Sequence, residues 1–182
     1  MPSTESASAK GLGLAYKSQR VYVALMFDVL GRLLSAGSVA DPTIQREIES
    51  FPEGYSIEFS ILGDSLAVRV VHRAGRFLLD RRRDRRADLR IVFKHLAHAF
   101  ALLSFQESTP RSFANGRMIT DGDVALTMRF VRCLDRVQGV ILPDLVAARA
   151  LKSLPQIPLG ERLRLAASIG GGVVQSYFRS VR

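Results

Sequence analysis

The sequence predicts a mixed α/β (α+β) domain, and three observations carry that expectation. Apolar and polar residues alternate through the runs from Tyr55 to Leu79 and from Asp88 to Phe93, which is the two-residue period of strands, and Arg117–Thr120 reads as a short further strand. Before, between and after these runs, apolar residues recur every three or four positions, which is the helical period. With 182 residues and 47% hydrophobic content the chain is too apolar to be disordered and fits one domain with attached ends.

Residues 1–17 are rich in Ser, Ala and Gly and read as a mobile lead-in. They lack the apolar core of a signal peptide, and a cytoplasmic location is the expectation. A first helix is expected over Ser18–Ser35, with Val23, Phe27, Leu30 and Leu34 on one side. Its apolar run, Val21 to Leu34, is interrupted by Asp28, Gly31 and Arg32 and reads as too short to span a bilayer. Asp41-Pro42 supplies a cap and a first-turn proline for a short helix over Thr43–Ser50.

In the first strand Tyr55, Ile57, Phe59 and Ile61 alternate with Ser56, Glu58 and Ser60, so one face is expected wet. Gly63-Asp64 and Ala74-Gly75 are turns, and Leu66–Val70 and Phe77–Leu79 complete an antiparallel meander. Asp88–Phe93 is a fourth strand, with Leu89, Ile91 and Phe93 on one face. Lys94–Phe105 is a helix carrying Leu96, Phe100 and Leu103. Ser108-Thr109-Pro110 opens a short helix that Gly116 ends, and Arg117–Thr120 is a fifth strand. Asp121-Gly122-Asp123 turns into a long helix whose apolar positions, from Val124 through Phe130 to Val140, cover a wide arc. Such a helix is buried on several sides or lines something apolar. Pro143, Pro155 and Pro158 punctuate the remainder, with one helix expected over Leu145–Leu154 and a last one over Gly160–Val181. Gly170-Gly171-Gly172 sits in the middle of that last helix, where each glycine costs about 1 kcal/mol relative to alanine.

The formal net charge is +9, and 22 of the 26 basic residues are arginine. Eight arginines between Arg73 and Arg90 face only Asp80, Asp84 and Asp88. Three readings stand for Arg81, Arg82, Arg83, Arg85 and Arg86. They form a solvated connection that blunts the sheet edge, they contact an anionic membrane surface, or they bind nucleic acid. Nucleic acid is the least expected partner, because no stacking aromatic accompanies the run except Phe77, which alternation points inward. Cys133 is the one cysteine, so it makes neither an internal disulfide nor a CxxC site, and a buried apolar role is expected. His95 and His98 stand three apart on a helix without a third ligand. GLGLAYKS at 11–18 misses both phosphate-loop patterns, since each needs glycine where Tyr16 stands. No GxSxG elbow or carboxylate pair stands out, so neither catalysis nor a cofactor is expected.

Taken in order, these elements resemble the sterol carrier protein type two (SCP2-like) family over about Glu49–Leu142. The most specific part is DLRIVF, then an apolar helix, then SFANGRMITDGDVALTMRF, with Phe113, Ala114, Arg117, Gly122 and Asp123 in the family's pattern. The resemblance implies a five-stranded, largely antiparallel sheet with helices on one face, enclosing an apolar tunnel. It implies a non-catalytic carrier of fatty acyl lipids, phospholipids, sterols or isoprenoids. Bacterial relatives include accessory factors of ubiquinone biosynthesis, so presentation of polyprenyl quinone intermediates to membrane-associated enzymes is the alternative. The lipid-binding domain is expected over residues 18–142, and 143–182 would be an extension serving as lid, anchor or dimer arm.

By pattern alone the apolar residues are as well suited to a packed core as to a cavity wall. With the resemblance, the expected ligand-binding set is Phe27, Leu30, Phe93, Leu96, Phe100, Leu103, Phe113, Ile119, Leu126, Phe130 and Leu134, with Arg117 at the mouth drawing acidic headgroups.

Overall fold

Alternation along the strands assembles a five-stranded sheet in the order β3-β2-β1-β4-β5 in the computed structural model, which describes residues 4–82, 84–141 and 159–180. Arg83, Leu142, the helix expected over Leu145–Leu154, the three late prolines and Val181 lie outside the described residues. The strands are β1 (Ser56–Ile61), β2 (Ala67–Arg73), β3 (Arg76–Leu79), β4 (Leu89–Phe93) and β5 (Met118–Asp121). The helices are α1 (Thr4–Ala40), α2 (Pro42–Ile48), α3 (Leu96–Leu103), α4 (Thr109–Ala114), α5 (Val124–Ile141) and α6 (Leu159–Ser180).

Three of the four strand pairings are antiparallel, and β1 runs parallel to β4. Register puts Ile57 beside Val70 and Leu89, and Phe59 beside Val68 and Ile91, so these apolar residues share the inner face. Helices α1 and α5 cover that face. The Phe27 ring lies 6.4 Å from Phe59 and 6.3 Å from Phe93, and the Phe130 ring lies 5.7 Å from Phe59 and 5.9 Å from Phe77. Aromatic contacts at these centroid distances combine large apolar burial with directional packing.

Helix α1 is longer than its apolar run suggested. It starts at Thr4, within the segment expected to be mobile, and continues through Gly37 to Ala40. Extending a helix that tertiary packing has already nucleated adds one hydrogen bond per residue without a new nucleation cost, so Ser and Gly are tolerated there. Gly31 and Gly37 are positions of close approach. A Cβ on Gly31 would lie 2.5 Å from Leu79 Cδ2 and 2.9 Å from Val68 Cγ2, and one on Gly37 would lie 3.0 Å from Ile44 Cδ1. The Ala15–Ala40 stretch is also long and apolar enough to cross a membrane by length and composition. Here its apolar side, with Val23, Phe27 and Leu34, is the domain core.

The outer face of the sheet, expected wet, is largely covered: Ser56, Glu58, Ser60, Arg69, Val71 and Val92 are all buried. The cause is topological. Strands β3 and β4 point the same way but stand on opposite sides of β2 and β1, so the chain between them crosses the sheet within residues 80–88. It takes the outer face, since helices hold the inner one, and Arg69 Nη1 donates to the Arg82 carbonyl at 3.3 Å. Beneath it Arg69 and Glu58 form a buried ion pair at 2.8 Å. The crossover ends at Asp88, whose Oδ2 accepts from Ser56 N at 2.8 Å and Ser56 Oγ at 2.6 Å.

Helix α6 runs through its three glycines and packs on the far side of α1, with Leu165 and Ile169 buried against Leu33, Ala36 and Ala40. Ala166 packs with them, whereas Leu163 is 63% exposed. Arg136 of α5 ties the junctions together, with Nε on Asp41 at 2.7 Å and Nη2 on Glu161 at 2.8 Å. Asp41 also caps α2 by accepting from Thr43 N, as the Asp-Pro signal predicts.

Two expected outcomes follow from this packing. Gly31→Val forces branched bulk between α1 and the sheet and lowers unfolding free energy by about 1–3 kcal/mol in urea melts. Burial works to raise the Asp88 carboxyl, but the Ser56 donors override it and hold it below the ordinary value of 3.8. Because the folded value is the lower one, this contribution is present above the unfolded value and is lost as pH falls through the folded one. Solvent screens this partly exposed carboxyl, so Asp88→Ala costs about 0.5 kcal/mol at neutral pH and less at strongly acid pH, read as converging urea midpoints.

Candidate functional site

The inner face of the sheet does not meet its helices equally well along its length. Where β1, β4 and β5 face α3, α4 and α5, an apolar slot remains. Its floor is Phe59, Ile91, Phe93 and Met118 from the sheet, and its sides are Phe27 and Leu30 of α1 and Val131 and Leu134 of α5. Leu102 and Leu103 of α3 and Thr109 and Phe113 of α4 close it, and Gln138 reaches it from the last turns of α5. The closing wall is built from short pieces, since α3 has eight residues and α4 six. Between them Phe105 holds φ at 58°, a left-handed conformation that few bulky residues adopt. Tyr22 anchors α3 to α1 through its hydroxyl on the Leu103 carbonyl at 3.2 Å and an edge contact with Phe100 at 5.2 Å.

The slot is narrow. Its volume is ≈ 30 Å³, room on the order of one or two waters, so among the described residues no open tunnel stands between the layers.

Of the twelve residues expected at the site, the fold brings Phe27, Leu30, Phe93, Leu103, Phe113 and Leu134 to the slot. Leu96, Phe100, Leu126 and Phe130 belong to the surrounding core and do not line it. Ile119 is on the wrong face. It pairs with Val92, whose side chain points outward, and it is 46% exposed. Arg117 is held in an ion pair, with Nη1 3.3 Å from Glu107 Oε2, and Asn115 Nδ2 donates to Glu107 Oε1 at 2.9 Å. Met118, Phe59, Ile91, Leu102, Val131, Thr109 and Gln138 line the slot without having been singled out. Met118 was legible as the inward neighbour of Ile119, and Gln138 follows Val131 and Leu134 at helical spacing.

The arginine run lies elsewhere. Arg85 Nη2 donates to the Gly54 carbonyl at 3.1 Å, Arg86 pairs with Asp121, and both belong to the crossover on the outer face. Arg81 and Arg82 are exposed in the same segment. Arg85 and Arg86 are thus held on the outer face, whereas Arg81 stands at the start of the crossover beside Asp28 of α1, and none of the three lines the slot.

Other polar groups are engaged in structure. A surface groove of ≈ 250 Å³ between α2 and α5 is lined by Glu47, Arg132, Cys133, Asp135 and Arg136. The Arg132 hydrogen bond holds the Glu47 carboxyl below the usual carboxylate range, and burial pushes the Cys133 thiol up to about 12 and raises Asp135. A thiol of that kind carries almost no thiolate at neutral pH. The His95 and His98 rings lie 5.1 Å apart, and among the described residues no group of three or more metal-ligating side chains gathers.

No family model matches this chain, and no curated protein matches it. In fold it is similar to three solved SCP2-like structures. One is a UbiJ-SCP2 ubiquinone synthesis protein, 16% identical with a TM-score of 0.43, covering 65% of this chain and 96% of that one. A second is the sterol carrier protein 2 like 2 of Aedes aegypti, 10% identical with a TM-score of 0.32, covering 53% and 94%. The third is a conserved hypothetical protein of Thermus thermophilus whose description points to a sterol carrier protein, 14% identical with a TM-score of 0.43, covering 72% and 91%.

The Glu107 pair gives a direct stability test. Arg117→Ala leaves a buried carboxylate with less compensation and lowers unfolding free energy by about 1–3 kcal/mol in urea melts. Adding Glu107→Gln restores part of that loss.

Proposed function

We propose that this protein is a non-catalytic carrier that takes the hydrocarbon part of a long-chain lipid or isoprenoid between its sheet and helices. The observation that supports this most is the slot itself, apolar on every side but for two residues and closed by two short helices. Apolar walls stay dry and receive apolar guests. Each methylene removed from water contributes about 0.8 kcal/mol, so a ten-carbon chain gains about 8 kcal/mol. That is comparable with the 4–15 kcal/mol estimated for immobilising a partner. Entry requires the α3–α4 wall to move outward, and short elements with few buried contacts are the least costly to displace.

In this reading residues 18–142 are the carrier unit. None of the described α6 side chains lines the slot, and α6 packs on the opposite side of α1, so it serves as a brace and not as a lid. Polyprenyl chains fall in the same apolar class as acyl chains and are admitted on the same grounds. The charged crossover on the outer face is left to meet an anionic surface or a protein partner without obstructing entry.

The test is displacement of a pyrene-labelled fatty acid by straight-chain alcohols of eight to sixteen carbons. Affinity rises by up to about fourfold per methylene until the slot is full. Leu134→Trp, which fills the slot, abolishes saturable binding, and Ile119→Ala on the outer face leaves it unchanged. Absence of saturable binding at every chain length would contradict the proposal.

A further inference from the structure

One polar atom in the slot is unaccounted for. Gln138 of α5 lines the slot with Leu102, Leu134 and Phe113, and its side-chain oxygen is buried without a hydrogen-bond partner among the described residues. Buried acceptors of this kind are nearly always satisfied, so each exception needs an explanation. The helix does not demand glutamine here, since the neighbouring slot positions Val131 and Leu134 are apolar and leucine has equal helix propensity. Two partners would satisfy the oxygen: a water in the slot, or a donor carried by the guest.

We propose that Gln138 is a specificity-determining residue: its oxygen accepts a hydrogen bond from a hydroxyl on the guest, so the slot selects long-chain alcohols over chains of equal length that lack a donor. This rests on the reading of the slot as a chain-binding site. The chemistry is that of an acceptor in an apolar enclosure. A hydroxyl that enters pairs with it, whereas an ether or a bare hydrocarbon that displaces water leaves the Gln138 oxygen unpaired. The single acceptor also limits what is read. A carboxylate brings no donor for this oxygen at neutral pH. Thr109, the other polar lining residue, stands across the slot on α4 and carries a hydroxyl of its own.

The experiment compares 1-dodecanol with the methyl ether of the same alcohol as displacers of the pyrene-labelled fatty acid, using the full chain. The ratio of the two affinities in the wild type is expected to exceed the ratio in Gln138→Leu by about tenfold, with ether binding retained or tightened in the variant. Gln138→Met is the second variant, unbranched and of similar length, and it should give the same collapsed ratio. Thermal melts of each variant confirm folding. A wild-type ratio equal to that of the variants overturns the inference and assigns the acceptor to water. A wild-type protein that binds neither compound nor the labelled fatty acid overturns the carrier reading instead.

Discussion

Helix α1 meets the sheet at Gly31, where the nearest side-chain carbon would come within 2.5 Å of any Cβ, and the rest of the layer arrangement is measured from that contact. Close seating there brings Phe27 onto Phe59 and Phe93 and lets Ser38 Oγ accept from the Phe77 amide at 3.1 Å, fixing β3 under the helix. Farther along the sheet the covering elements include the short α3 and α4, of eight and six residues. The same constraint that packs one end tightly leaves the other end to side chains alone, and the slot lies there. Core packing admits few voids larger than a water, so even a narrow apolar slot at this place is a local departure from the rule.

The two faces of the sheet are covered by different means. Inside, aromatic and aliphatic side chains exclude water. Outside, a nine-residue crossover with charged residues lies over Glu58 and Arg69, which neutralise one another beneath it. A buried ion pair of this kind adds little net stability over an apolar pair, but removing one partner is costly, so it holds the crossover in one place. The consequence is a division of surfaces. Arg85 and Arg86 lie with the crossover on the outer face, and the apolar slot lies on the helical side.

Most of the fold was legible in the sequence because local signals agreed. Period-two alternation located the first four strands, the Asp41-Pro42 pair located α2, and Gly122 marked the turn before α5. What escaped depended on contacts distant in sequence. The length of α1 was obscured because residues 1–17, rich in Ser, Ala and Gly, read as a mobile lead-in and the expected helix stopped at Ser35, whereas it runs from Thr4 through Gly37 to Ala40. The outer face read as wet because its polar alternation is real, and only topology reveals the crossover above it. At the site, half of the set expected from periodicity together with the family resemblance lines the slot, those on α1, β4, α3, α4 and α5 that face inward together. Ile119 failed because both faces of a short edge strand looked apolar, with Met118 and Ile119 adjacent. Arg117 was legible as a cation, but its pairing with Glu107, ten residues away in sequence, was not.

The central claim, that the layers part to admit a chain, is tested most directly by isotope-filtered nuclear Overhauser spectroscopy on the labelled protein with an unlabelled twelve-carbon alcohol. The account predicts cross-peaks from chain methylenes to the rings of Phe93 and Phe113 and the methyls of Leu134, with shifts concentrated in α3 and α4. Cross-peaks confined to exposed residues such as Phe178 and Val174 of α6, with the slot signals unmoved, would contradict it.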